Sequence, residues 1–476
     1  MNSRFNHNHY NIILLILCIV CRISTTIYYI EDIDSLRFAL SIKDYDITKF
    51  QPHFPGYPVF CFIVKGLFLI TNSMAVSFSI IGGAATFMII FSILKISRVE
   101  INSFSGIFFS LVIFFNPLLW LMGNRYMPDL MGLAVALFSF YLLTEENNKI
   151  NFILLGALLV GILAGTRLSY IPLLCLPLLT VLLENEKRLK IFFAFFIGNF
   201  VWLFPLVSIT GIQELYAAAG KQTIGHFSDF GGTVITENNW YLRFISLIKS
   251  IWADGLGGYW IGRSWQTVLL SLPLIYLIYN GTLTYKKHFN KNKILRTLFY
   301  SILIYVGWIF FFQNIIYKSR HILPVLSFLL LIIGLGQKYV YKERLITKFL
   351  VYVPLVFLIS VTLYLVEQHR SPTAVSKLKD YIINNEKDKV IISTPLINYY
   401  LKTNGIASTY ISVYEPEKFK SIPNDSDKEI IMIGDFNELV LDNYKVSLDS
   451  IFYHNPYVNN MWSKIKIYTL KENENG

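Results

Sequence analysis

Apolar residues in this chain come in long runs separated by short polar connections, and the length of each run decides how it is read. Eleven runs, at 11–30, 74–95, 101–121, 129–144, 151–166, 168–183, 190–209, 264–281, 297–315, 321–337 and 347–366, approach the roughly 20 residues that a helix needs to cross hydrocarbon. A further run, Tyr57 to Thr71, is short for a span and follows Pro52, Pro55, Gly56 and Pro58. It is read as an interfacial or re-entrant helix. The first run is long for a signal peptide and no small-residue cleavage site follows it, so it is kept as a span. From about Ser371 the chain turns polar, with short β-like runs at Val390 to Ser393, Thr409 to Val413, Ile430 to Gly434 and Lys464 to Leu470. Helix-like segments between them complete a small α/β domain. The expected fold is an α-helical polytopic membrane protein of about 11 transmembrane helices plus an interfacial helix, followed by a small C-terminal α/β extracytoplasmic domain. The expected domains are 1–370 and 371–476.

Charge adds an orientation. The groups Lys95/Arg98, Lys187/Arg188/Lys190, Lys286/Lys287/Lys291/Lys293/Arg296 and Lys338/Lys342/Arg344/Lys348 should face the cytoplasm, as basic connections do. An inside N-terminus with alternate crossings puts all four groups there, whereas counting Tyr57 to Thr71 as a crossing would export them. The external parts are then 31–73, 122–128, the vicinity of 167, 210–263, 314–320 and everything after about 367. The expected location is a bacterial plasma (inner) membrane, with the C-terminal domain outside the cytoplasm.

Composition agrees: 54% of the residues are hydrophobic and 15% charged, against about 25% charged in soluble domains. The net charge of +11 is spread over the connections, which suits a membrane surface and membrane lipids rather than nucleic acid. Cys18, Cys21, Cys61 and Cys175 all lie in apolar stretches, so no disulfide framework is implied and Cys18-x-x-Cys21 reads as packing.

Candidate chemistry gathers on the external side. Glu31, Asp32 and Asp34 follow the first span; carboxylates at a low-dielectric boundary can act as bases, and they can equally mark a juxtamembrane loop. In Gln51 to Pro58 three prolines restrict the backbone around His53 and Tyr57, shaping a rigid rim. Arg125 and Asp129 lie between two spans, as a working pair or a structural one. Arg167 and Arg320, the latter followed by His321, run against the positive-inside tendency; an anionic phosphate is the natural partner, lipid headgroups the alternative. In the long loop Lys221, His226, Asp229, Glu237, Asp254 and Arg263 are spread among glycines and aromatics without a motif.

Four short elements in this order resemble the GT-C superfamily of membrane glycosyltransferases, in particular the branch of protein O-mannosyltransferases and lipid A aminoarabinose transferases (glycosyltransferase family 39-like). They are Asp34 with Phe38 and Ala39, His53 to Pro58, Arg125/Tyr126/Asp129, and Arg320-x-x-x-Pro324. The family commonly has Asp-Glu where this chain has Asp34-Ser35, and a proline where Phe54 stands, so Glu31 or Asp32 remain alternatives to Asp34. The resemblance implies inverting transfer of a sugar from a polyprenyl-phosphate carrier to a hydroxyl or amine of a glycan, lipid or protein acceptor on the extracytoplasmic face. It implies Asp34 as base or base partner, Arg125, Arg167 and Arg320 at the phosphate, and His53 and Tyr57 at the sugar. Asp129 would orient an arginine or, with Asp34, hold a divalent cation; no cofactor is assigned. The alternatives are an O-antigen-type polysaccharide polymerase, which should concentrate its chemistry in late loops, and a lipid-linked glycan flippase or transporter, which should show repeats and mid-span charges.

Overall fold

The structure is a computed structural model and describes residues 2–145, 149–228, 231–340, 345–385, 388–415, 428–439 and 444–472. Lys342 and Arg344 of the last basic connection, and Asp229 of the long loop, lie outside the described residues. The chain divides into two compact units, residues 1–27 with 37–367, and residues 28–36 with 368–476.

The first unit is helical. Among the described residues of the chain, seven helical stretches are long and apolar enough to cross a membrane, or eight if the bent pair Phe104–Phe114 and Pro117–Asn124 is one crossing. That pair is the run expected as one span at 101–121. It bends by 57°, because Pro117 disfavours helix at the residue before it and Asn116 starts a new helix by accepting from the Leu119 N–H at 3.0 Å. The helical run Ile150–Glu184 covers two expected spans and doubles back at Arg167, whose φ of −156° and ψ of 84° leave the helix. Ile153 and Glu184, near its two ends, therefore line one cleft with Leu143 and Lys293. The first helix stops at Ser24, short of the expected Ile30, and the Ser24 and Thr25 hydroxyls donate back to the Cys21 carbonyl. Pro58–Thr71 is a helix of 14 residues, too short to cross, as expected.

Ion pairs fix which ends lie together. Arg98 reaches Glu145 at 3.3 Å and Lys293 reaches Glu184 at 2.6 Å, so three of the basic connections share one end of the bundle. Asp129 begins the helix that ends at Thr144, and Arg167 ends the helix that begins at Ile150. Both therefore lie at the opposite end. The helices Ile150–Arg167 and Arg188–Thr210 touch backbone to backbone: a Cβ on Gly198 would stand 2.1 Å from the Leu158 carbonyl oxygen, the small-residue contact on which membrane helices rely.

The second unit carries a five-stranded mixed sheet of β1 (Lys389–Ser393), β2 (Thr409–Ser412), β3 (Glu429–Ile433), β4 (Tyr444–Tyr453) and β5 (Lys464–Glu472). Their order is β2-β1-β3-β5-β4, with β1 parallel to β2 and β3, and β5 antiparallel to β3 and β4. Four of the strands fall on expected runs. β4 was not expected: it is an edge strand with mostly exposed side chains and a register break between Leu448 and Ser450, which interrupts the apolar alternation.

Candidate active site

Asp129 opens its helix as the acid of the first turn, where a carboxylate is favoured by the helix dipole. Its Oδ1 lies 2.8 Å from Arg167 Nη2 and 3.7 Å from Arg320 Nε. Asp129 is 1% exposed, Arg167 5% and Arg320 9%; burying such charges is tolerable only because they meet one another. Gly132 makes the approach feasible, since a Cβ there would stand 2.5 Å from Arg167 Cβ.

The rim that was expected around His53 and Tyr57 joins this pair. Arg167 Nη1 donates to the Tyr57 hydroxyl at 3.2 Å, and that oxygen lies 3.1 Å from His53 Nε2. With the guanidinium donating, the Tyr57 hydroxyl can donate in turn to a His53 Nε2 that carries no proton. Tyr57 is held at a φ of 47°, between Gly56 at 85° and the helix that Pro58 begins. A bulky residue in the left-handed region is strained, and such strain persists where the surroundings enforce it. Phe38 packs edge-on to both rings, 5.1 Å from Tyr57 and 6.0 Å from His53 between centroids.

Arg320 sits in the short turn Ser319–Ile322, where its Nη1 contacts Met127 Sδ at 3.1 Å. His321 is buried within reach of the Arg167 and Arg320 charges, and its carbonyl accepts from the Tyr305 hydroxyl at 3.0 Å. Arg125 is buried in the connection before Asp129. Sequence reasoning passed over Tyr170 and Tyr305, which pack edge-on 5.9 Å apart beside Arg167. Their only signal was a place inside apolar runs.

The same reasoning left Asp254 among scattered loop charges. It belongs to a π-helical turn, Ser250–Gly255, within reach of the Lys249, Arg263 and Arg125 charges. Burial pushes its carboxyl up to about 6 despite those cations. The charges named around Asp129 and Asp254 are five cations, Arg125, Arg167, Lys249, Arg263 and Arg320, against these two carboxylates.

Beside this cluster lies an apolar cavity of about 590 Å³, whose lining includes Phe54, Leu168, Trp202, Leu206, Leu215 and Tyr216. Phe54 and Leu168 are the chain neighbours of His53 and Arg167, so cavity and cations share two segments. Two other buried arginines have different work. Arg243 donates to the carbonyls of Phe310, Gly232 and Gln313, and Arg22 lies on the Trp120 ring, 4.0 Å from its centroid.

The three expected acids belong to the second unit, and two of them have evident structural roles. Asp32 begins the helix Ile33–Lys43: its Oδ1 accepts from the Ser35 N–H at 2.9 Å, the bond of an N-cap. Its Oδ2 accepts from Asn459 Nδ2 at 3.1 Å. Glu31 Oε1 lies 2.9 Å from His369 Nε2. Asn459 is itself tied, because the Ala374 N–H donates to His454 Nδ1 at 3.0 Å, which leaves His454 Nε2–H to donate to the Asn459 carbonyl at 2.7 Å. Asp34 is buried in the first turn of that helix. Among the described residues no group of three or more His, Cys, Asp or Glu side chains is placed to hold a metal ion. A carboxylate shared by two guanidiniums also does not suit one, so no step is routed through a cation at Asp129.

No protein-family profile and no curated protein matches the sequence. The fold does have solved counterparts. ArnT from Cupriavidus metallidurans in the apo state superposes with a TM-score of 0.55 at 9% identity, covering 97% of this chain and 98% of that one. The same enzyme bound to undecaprenyl phosphate gives 0.55 at 8%, covering 96% and 97%. An oligosaccharyltransferase from Archaeoglobus fulgidus tethered to an acceptor peptide gives 0.47 at 11%, covering 95% and 74%. Likeness over nearly the whole of both ArnT chains, together with the apolar helices, makes this a polytopic membrane protein with the GT-C fold.

Proposed function

We propose that the protein is a membrane glycosyltransferase that moves a sugar from a polyprenyl-phosphate carrier to an acceptor hydroxyl or amine on the extracytoplasmic face. The observation that carries the reading is the buried cluster of Arg167 and Arg320 on Asp129 next to an apolar cavity of about 590 Å³. A buried, cation-rich recess beside an apolar one matches the two ends of a lipid phosphate. The shared fold with an ArnT solved with undecaprenyl phosphate supports the same class of ligand.

The residues divide the chemistry between them. Arg167, Arg320 and Arg125 hold the phosphate and stabilise the charge it gains as the bond from the anomeric carbon to the phosphate oxygen breaks and the oxygen keeps the electron pair. Asp129 keeps two of those guanidiniums aimed. His53 and Tyr57 line the sugar, and His321 closes the cluster. Asp34 takes the proton that the acceptor loses as it attacks the anomeric carbon from the opposite face, giving inversion. Glu31 and Asp32 help to hold their segment, through His369 for Glu31 and through Asn459 and the Ser35 N–H for Asp32.

The test is sugar transfer in membranes supplied with a panel of polyprenyl-phosphate sugars. Asp34→Asn in a folded variant is expected to lower transfer by about 10²–10⁴-fold. Undiminished transfer by Asp34→Asn, or no donor consumed by the wild type, overturns the reading.

A further inference from the structure

The helix Trp240–Lys249, in the long connection between the spans Arg188–Thr210 and Gln266–Phe289, is inside out for a helix in water. A surface helix normally buries its apolar side and leaves its charges in solvent. Here Arg243 is 0% exposed, whereas Tyr241 is 76%, Trp240 55% and Phe244 54% exposed, and Leu242 and Ile248 are exposed beside them. Trp240, Phe244 and Ile248 recur every fourth residue and so share one face. The buried side is fastened to a span. Arg243 donates to the carbonyls of Phe310 and Gln313, both at 3.1 Å, and to that of Gly232 at 2.6 Å. It thereby meets the end of the helix Lys293–Phe312, where carbonyls lack helical partners and a cation is favoured. The Trp240 ring packs 5.8 Å from Phe310 and 5.9 Å from Phe311. Lys293–Phe312 is long and apolar enough to cross a membrane, and Tyr300, Ile304 and Phe311 on one side of it are exposed. Trp240 prolongs that strip.

We propose that Trp240–Lys249 is an interfacial helix whose partner is a phospholipid surface: Tyr241, Phe244 and Ile248 enter the boundary between headgroups and acyl chains, while Arg243 holds the helix to the end of the neighbouring span. Lys293 lies at the end of the bundle shared by the basic connections, so the leaflet is the one at the other end, which holds Asp129 and Arg167. Tryptophan and tyrosine are the side chains that favour this boundary, and a helix lying in it buries its apolar face by roughly 5–10 Å. Lipid is favoured over a second copy of the chain because the exposed strip continues the exposed face of a helix able to cross the bilayer. The long connection is thereby fastened at the membrane surface.

Two readouts on the full-length protein, in nanodiscs of phosphatidylethanolamine and phosphatidylglycerol, test this. In the first, the photo-crosslinker p-benzoylphenylalanine replaces Phe244 or Ile248, with the exposed Lys402 of the second unit as the reference position. Irradiation and mass spectrometry should find phospholipid adducts at 244 and 248 at least about fivefold above those at 402. The second readout leaves these positions untouched. Quenching of tryptophan fluorescence by phospholipid brominated near the headgroup should fall in Trp240→Phe, and fall less in a variant of the buried Trp120, Trp120→Phe. Covalent dimers in place of lipid adducts would assign the face to a second copy and overturn the proposal. Adducts at 244 and 248 no greater than at 402, or quenching equal in Trp240→Phe and the wild type, would overturn it as well.

Discussion

Two parts of the molecule bury carboxylates and use them differently. In the membrane unit, Asp129 is set against two guanidiniums and the surrounding charge is mostly positive. In the segment joined to the C-terminal domain, Glu31 is met by His369, and Asp32 by Asn459 and a backbone N–H. Contacts of this kind hold a chain in place. At Asp129 guanidiniums gather round one carboxylate near an apolar cavity, the arrangement on which the proposed phosphate site rests. The difference separates acids met by mostly neutral donors from an acid shared between cations.

The largest way to break the comparison is Asp34→Asn beside Asp32→Asn and Glu31→Gln. Transfer should fall by about three orders of magnitude in the first and by less than about tenfold in the other two, measured in membranes with equal amounts of folded protein. Equal losses in all three would merge the roles.

Next comes Asp129→Ala, which leaves buried guanidiniums without their shared acid. It should cost about 3–5 kcal/mol, read as a fall in melting temperature. Gly132→Leu should produce a comparable fall by driving a side chain into Arg167, through overpacking at about 1–3 kcal/mol or more. Removing the cap with Asp32→Ala should cost about 1 kcal/mol, visible in melting.

The smallest effect is at Asp435 in the C-terminal sheet, whose carboxyl is held below its usual range by hydrogen bonds from Tyr468 and Lys466. Because its folded pKa is depressed, its contribution is present above the unfolded pKa and lost as pH falls through the folded one. Tyr468→Phe should raise the Asp435 pKa toward the ordinary value, followed by NMR titration. The exposed side chain limits any change in stability to well under about 1 kcal/mol.

Much of the fold was legible in the sequence because membrane spans and parallel strands are written in continuous apolar runs. The breaks were less legible. Phe115 and Asn116 look apolar enough in context to continue a span, and only the geometry before Pro117 shows the bend. β4 hides because an exposed edge strand needs no apolar alternation. At the site, Asp129, Arg167, Arg320, His53 and Tyr57 stood out as charges and prolines at the ends of apolar runs, and the structure brings them within contact of one another. Asp254 did not stand out. Its surroundings include the charge of Arg125, far back in the sequence, and no periodicity reports such a proximity. Likewise, the partners of Glu31 and Asp32, His369 and Asn459, lie far along the chain.

The most direct test of the central claim is thermal unfolding of the purified protein against increasing undecaprenyl phosphate, with Arg167→Lys measured alongside. A ligand that binds only the folded state raises the melting temperature with concentration. The account predicts such a rise for the wild type and an affinity lower by about tenfold or more for Arg167→Lys, whose ammonium cannot reproduce the guanidinium fork. No stabilisation of the wild type, or equal stabilisation of both proteins, would contradict it.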